Sequence, residues 1–406
     1  SNAMPARVPS ILALLFAASL LASGDLRAQD ATGNESSVPQ ASEVNSTADD
    51  TKVQSLVDQL SSPDFAIRNA ARAALLKVDE SGLTKLVEAA NTADGETKNQ
   101  LSVILEKLQS RLFDAPLKTF LANPTRDNAA ALPGWTTINE LVRSEESALF
   151  VFREMLEAEP SLFTTLRFNH SGLPPVLLER SSITERVMKS DSQPFPVASV
   201  LALMMIGTEP GVRLTGATQS NINAALSHPQ FQRLVKNGIH ASAISAITEN
   251  WLLREHSVLD AELLFAMKLE SPAGIELSRR VLKARRTGPV ECWALLTLGK
   301  LNDTESLALI EASLNSKGRF WPMRGQSVQN AMPGSNFAED YHVQASDVAL
   351  AVALHLRGES LETIRLNAAG SEETLFQPHS LGFNSEDERT KAINAYRSKH
   401  PALKAQ

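Results

Sequence analysis

Apolar residues recur at three- and four-residue spacing within residues 56–108, and they do so twice. In the first stretch Ile67, Ala71, Ala74, Leu75 and Val78 fall on one face; in the second Leu101, Ile104, Leu105 and Leu108 do the same. That period predicts amphipathic α-helices. The two stretches also align with each other at an offset of about 30 residues. Leu56 and Val57 return as Leu86 and Val87, Asp64 as Asp94, Arg68 as Lys98, Leu75 as Leu105 and Val78 as Leu108. Each copy reads as a helix, a short turn and a second helix. Ser62, Pro63 and Asp64 predict a helix start: a hydroxyl cap, a proline at the first position and an acid facing the helix dipole. A helix pair of this kind leaves a second apolar face, so it is expected to stack on neighbours.

Downstream the pattern is less regular. Residues 117–122, 137–143 and 147–158 have helical period, with Pro133-Gly134 and Leu173-Pro174-Pro175 as punctuation. Residues 197–206, VASVLALMMI, are apolar all round, which predicts a buried helix, with a strand as the alternative. Residues 240–254 and 258–269 are helical in period. In 271–286 Ser271 caps, Pro272 opens, and Lys283, Arg285 and Arg286 close a helix ahead of Gly288-Pro289. Residues 292–315 faintly echo the repeat, with a turn at Asn302, Asp303 and Thr304. From residue 318 the period is lost. Residues 318–337 read as a long ordered loop or a linker, and such segments often carry binding. Residues 341–356 then read as a largely buried helix, 375–383 as an irregular apolar segment, and 387–399 as a closing helix.

The run Asp64-x-x-x-Arg68-x-x-Ala71-x-x-Ala74-Leu75, behind the apolar helix 57–60, resembles HEAT-like (armadillo-type) helical repeats. The tail resembles that of exported bacterial helical-repeat proteins of unassigned function. The resemblance implies an all-α fold: an alpha-alpha superhelix, or right-handed solenoid of helical hairpins, with a less regular C-terminal helical cap. It also implies an Asp–Arg ladder between neighbouring repeats, at the positions of Asp64 with Arg68 and Asp94 with Lys98. The second copy departs from the family pattern at Gly95 and Asn99. The expected organisation is a secretory signal over 4–28, a disordered tether over 29–50 and a repeat pair over 51–112. An irregular helical-repeat middle over 113–317 and a loop-rich cap over 318–406 follow.

Composition changes the picture mainly at the N-terminus. Ser1-Asn2-Ala3 reads as a remnant of tag removal, which puts the native start at Met4. Arg7 precedes the apolar run 11–22, which is too short to cross a bilayer core about 30 Å thick. Together they predict a secretory signal, with cleavage after Gly24 or Ala28 left open. An exported protein, periplasmic or extracellular, is expected. Residues 29–50 are small, polar and acidic and predict a tether. The single cysteine, Cys292, rules out an internal disulfide, so a packed core must supply stability. With 39 basic and 46 acidic residues the net charge is −7, which gives no general attraction to nucleic acid or anionic membranes. No nucleic-acid partner is expected, and no membrane span once the signal is removed.

The common zinc, serine-hydrolase and nucleotide signatures are missing from the sequence, and no cofactor is expected. Cys292 sits on an apolar helix and reads as a buried thiol rather than a nucleophile. The cations Arg279, Arg280, Lys283, Arg285 and Arg286 read as a solvated helix end rather than a phosphate site. His342, Asp347, His355 and His379 form the one polar set with metal-binding or proton-shuttling chemistry. However, Asp347 and His355 lie about 80° apart around a helix, so capping and turn-supporting roles are favoured. Trp251 and Trp293 read as core. Trp135 and Trp321 fall in loops and, with Arg324, are the candidate partner contacts, although only 5% of the chain is aromatic. The reading favoured is a non-catalytic scaffold that binds a protein or peptide partner. The alternatives are a hydrolase or metal-dependent enzyme at the His/Asp set, and a self-associating structural envelope protein.

Overall fold

A computed structural model describes residues 46–401 apart from 191, 257, 322–340, 365 and 367. The expected signal and the tether up to residue 45 lie outside the described residues; the tether's last residues, from Ser46, are helical. The fold is all-helical and repeat-like, with nineteen α-helices among the described residues.

The repeat pair is built from α1 (Ser46–Gln59), α2 (Phe65–Leu75), α3 (Glu80–Thr92) and α4 (Gly95–Ala122). From Val53 onward its apolar positions form a separate core that includes Leu60, Leu75, Leu86, Leu101, Ile104 and Leu108. Helix α2 starts two residues later than the Ser-Pro pair suggests. Asp64 is the cap, accepting the Ala66 N–H at 2.7 Å, while the Ser62 hydroxyl accepts the Asp64 N–H. Asp94 caps α4 in the same way, accepting the Thr97 N–H at 3.1 Å. The guanidinium of Arg68 donates to the carbonyls of Ser62 and Pro63 at 2.7 and 2.9 Å. The repeated acids therefore cap helices, and the arginine closes its own turn, in place of the ladder that the resemblance implies.

Helix α4 runs through both cores. Leu101, Ile104 and Leu108 belong to the first, Phe113 and Phe120 to the second, so the expected boundary at 112/113 falls inside one helix. The second core is covered by α5 (Arg126–Ala130), α6 (Trp135–Leu141), α7 (Glu145–Ala158), α8 (Pro160–Phe168) and α9 (Leu173–Met188). It continues through α10 (Val197–Gly207), α11 (Gly216–Asn223), α12 (Pro229–Asn237), α13 (Ala241–Leu253) and α14 (Asp260–Lys268). It ends with α15 (Ala273–Lys283), α16 (Pro289–Lys300), α17 (Leu307–Ala312), α18 (Ala345–Leu356) and α19 (Glu386–Lys399). Pro174 and Pro175, expected to interrupt, occupy the first turn of α9, where a missing N–H costs nothing.

Helices α10, α16 and α18 are buried nearly all round. Helix α10 packs on α7, α9 and α13, while α16 packs on α14, α15 and α18. Gly274 permits the close approach of α15: a Cβ there would lie 2.9 Å from Thr297 and 3.0 Å from Ala266. Two short antiparallel ribbons close the C-terminal part, β1 (Arg319–Trp321) with β2 (Val343–Gln344) and β3 (Gly370–Ser371) with β4 (Leu375–Phe376). The helix expected from 341 therefore begins at Ala345. Buried Tyr341 and Val343 flank the less buried His342, a strand alternation that the apolar helix behind it disguised.

One polar cluster lies inside the stack. Glu262 on α14 is 0% exposed and accepts from Arg254 (2.8 Å), Asn223 (2.9 Å) and the Leu259 N–H (3.2 Å). His256 Nε2 lies 2.7 Å from its other oxygen, and Trp251 Nε1 donates to Asn223 at 2.8 Å. Burial pushes the Glu262 carboxyl up, but the bonds from His256 and Arg254 outweigh it and hold the group below the usual carboxylate range. The cluster fastens α11, α13 and α14 together. Glu262→Ala strips a buried arginine of its counter-charge and is expected to cost about 3–5 kcal/mol in urea unfolding. A loss under about 1 kcal/mol would show that the cluster does not hold these helices.

Candidate functional site

The C-terminal helix α19 is polar along most of its length, so an apolar stripe alone does not attach it. Two polar clamps do. At its N-terminal end Arg389 reaches Asp347 on α18, with Nε to Oδ1 at 2.6 Å and Nη2 to Oδ2 at 3.0 Å. Asp347 is 0% exposed and also accepts the Gln344 N–H at 2.9 Å, which caps α18. Arg389 further donates to Glu386 and to the His342 carbonyl. Burial pushes the Asp347 carboxyl up, against the pull of Arg389; burial likewise lowers Arg389, but the bonds to Asp347 and Glu386 win and hold the guanidinium above its ordinary value. At the other end the Tyr396 hydroxyl donates to Glu311 at 2.6 Å and accepts from Arg357 at 2.8 Å. Burial pushes its phenol up to about 12.

Between these clamps lies a cleft of about 240 Å³. One wall is the α19 stripe Glu386, Arg389, Thr390, Ile393, Asn394 and Arg397, spaced at helical period. The other is the segment 314–317, which leads from α17 into β1. Gln344 and Ser346, at the start of α18, line it as well. Ser346 is 3% exposed and its hydroxyl has no hydrogen-bond partner among the described residues. Its N–H donates to the Ser316 carbonyl and the Ala345 N–H to that of Gly318, so the helix start is tied to the opposite wall. The cleft is rich in fixed donors and acceptors, which suits polar recognition. A second hollow of about 280 Å³ lies between α12, α13 and the α14–α15 turn. There Glu249 accepts from Ser245 at 3.3 Å and Ser271 at 3.1 Å, beside Phe265, Leu269 and Pro272.

The candidate residues fall in different places. His342 lies beside the Asp347–Arg389 pair, with Nε2 at 2.8 Å from Gln344 Nε2. His355, near the other end of α18, meets Phe376 edge-on with ring centroids 6.0 Å apart. His379 sits in a single 3₁₀ turn and accepts the Tyr341 hydroxyl through its carbonyl at 2.9 Å. Both oxygens of Asp347 are taken by Arg389 and Gln344, and no group of three or more His, Cys, Asp or Glu side chains that could hold a metal ion occurs among the described residues. Trp135, expected in a loop, opens α6 after Gly134 (φ +84°) and is 4% exposed, packed on Phe152. Its ring is core and does not present itself to a partner. Trp321 ends β1, while Arg324 lies outside the described residues.

Three of the five cations at the end of α15 are held internally, while Lys283 and Arg285 are exposed. Arg279 binds Asp303, Arg280 binds Glu276 and the Leu253 carbonyl, and Arg286 binds the Val258 carbonyl. Cys292 is buried, which pushes its thiol up and leaves it inert. Sequence reasoning missed Arg389, Arg397, Lys317 and Gln344. The helical spacing of polar residues over 386–397 was the available signal, but the partners of that stripe lie far away in the chain. Comparison with known protein families, with curated proteins and with solved structures finds no match in any of the three.

Burial lowers the pKa of His355, and also that of His240, which stacks on Phe150. A base lowered on folding gives stability that is complete above its unfolded value, about 6.5, and lost as pH falls through the lower folded value. The melting temperature is therefore expected to decline on the acid side of about pH 6.5. A His240→Gln, His355→Gln double variant should decline less between pH 7 and pH 5. Parallel curves would assign the acid sensitivity to the carboxylates.

Proposed function

We propose that this chain is an exported helical-repeat scaffold whose partner is a protein or peptide segment, seated in the cleft along α19. The observation that carries the reading is the network of hydrogen bonds that holds α19 and the start of α18 around the cleft. Arg389 is fixed by Asp347 and Glu386, Tyr396 by Glu311 and Arg357, and the start of α18 by the carbonyls of Ser316 and Gly318. A surface whose side chains are already ordered loses little entropy on binding. The α19 stripe and the facing segment present amides, hydroxyls and charges to the cleft, groups that suit a polypeptide's own amides and side chains. Export rests on the cation, short apolar run and small residues of 4–28.

A photo-crosslinking residue placed at Thr390, in the cleft, and another at Glu88, on the exposed side of α3, test this in the envelope of the source organism. The expected result is an adduct of discrete mass from position 390 alone, suppressed by excess unlabelled protein. No adduct, or the same adducts from both positions, would remove the scaffold reading.

A further inference from the structure

The cleft's charges do not cancel. Lys317, Arg389 and Arg397 line it with one acid, Glu386; a second acid, Asp347, lies behind Arg389. Asp347 and Glu386 are both engaged by the same guanidinium, that of Arg389. Arg397 donates instead to the neutral side-chain oxygen of Asn315 at 2.7 Å, and neither it nor Lys317 is placed in an ion pair among the described residues. Glu291 approaches from behind the other wall, bound to the Ser316 hydroxyl at 2.8 Å, and burial raises its pKa. Among the lining residues three cations face one acid, in a chain whose net charge is −7.

Two exposed cations are ordinary by themselves. Ser346 makes these different. It lines the same cleft, almost wholly buried, with a hydroxyl that lacks a partner. Buried polar groups are almost always hydrogen-bonded, and an exception calls for an explanation. An acceptor oxygen in the cleft supplies it once the Ser346 side chain, whose hydroxyl is shut off from solvent, turns toward the cleft. We infer that the cleft is a carboxylate-binding site, with Arg397 and Lys317 giving the counter-charge and Ser346 donating a hydrogen bond. The planar fork of a guanidinium matches the two oxygens of a carboxylate, and Lys317 supplies a second cation beside it. The volume of about 240 Å³ is below the 300–1,000 Å³ range of drug-sized ligand sites, so it fits one acidic side chain with its flanking backbone. The inference rests on the scaffold reading for the source of that carboxylate, an acidic residue of a peptide, but its chemistry is separately testable.

The full chain is titrated with acetyl-Ala-Glu-Ala-amide, with its Gln counterpart and with acetate. Binding is followed by the amide signals of Lys317, Ser346 and Arg397. The Glu peptide is expected to shift all three, and the Gln peptide to bind at least about tenfold more weakly, because it lacks the charge. A Lys317→Gln, Arg397→Gln double variant should weaken the Glu peptide by a similar factor. Ser346→Ala should weaken it several-fold while melting no lower than the parent, since it removes a hydroxyl that nothing satisfies. Equal binding of the Glu and Gln peptides, or indifference to all three substitutions, overturns the proposal. Acetate binding as tightly as the Glu peptide supports a carboxylate site that serves free small acids. A position-390 adduct without Glu-peptide binding leaves the scaffold standing and removes the carboxylate; the converse result leaves the carboxylate site without a protein partner.

Discussion

Helices α10, α16 and α18 have no polar face, and the rest of the fold follows from enclosing them. Residues 200–207 of α10 are all buried, as are nine residues of α16 and ten of α18. Each large apolar side chain removed from water contributes about 1.5–3 kcal/mol, so no arrangement that leaves one of these helices at the surface competes. An amphipathic hairpin needs one neighbour on each side. A helix that is apolar all round needs a ring of them, which α7, α9 and α13 supply for α10, and α14, α15 and α18 for α16. The first repeat pair lacks any such helix, and it accordingly keeps a small core of its own, joined to the main one through α4.

Enclosure uses up the amphipathic helices, and the mostly polar helix α19 attaches by charge as well as by the short buried stripe of Ala392, Ile393 and Tyr396. Its clamps sit where α18 begins and ends: Asp347 in its first turn and Arg357 just past its last. This makes α18 the pivot between the apolar interior and the polar cleft. Ion pairs of this kind add little net stability compared with apolar packing, because desolvation offsets the attraction. They do fix geometry, since a two-point contact between a guanidinium and a carboxylate tolerates little rotation. The same pairs that add little to folding therefore define the shape of the cleft.

Features governed by local spacing were legible in the sequence. The doubled stretch, the buried helix at 197–206, the closing helix and the buried thiol of Cys292 all follow from period and neighbours. So did the capping role of Asp347, because a carboxylate in a helix's first turn answers to its own backbone. What escaped depended on residues remote in sequence. Nothing near Arg389 indicates that its partner is Asp347, 42 residues earlier. Trp135 read as a loop residue because Pro133-Gly134 precedes it. Gly134 in fact turns the chain so that the indole enters the interior against Phe152, which is ring packing invisible to period. The proposed ladder failed for a related reason: Arg68 found carbonyls within its own turn, closer than any acid of a neighbouring repeat.

The polar set at the C-terminus changes meaning when these distances are considered. In the sequence His342, Asp347, His355 and His379 stood out because their side chains can bind metals or carry protons. In the fold Asp347 is already saturated, and its negative charge is spent on holding Arg389. An arginine shared between two acids brings no free positive charge, but it holds both carboxylates away from Lys317 and Arg397, which have no ion pair among the described residues. The buried acid acts as a counter-ion as well as a cap, and among the described residues the Ser346 hydroxyl beside it has no hydrogen-bond partner and Lys317 and Arg397 have no ion pair.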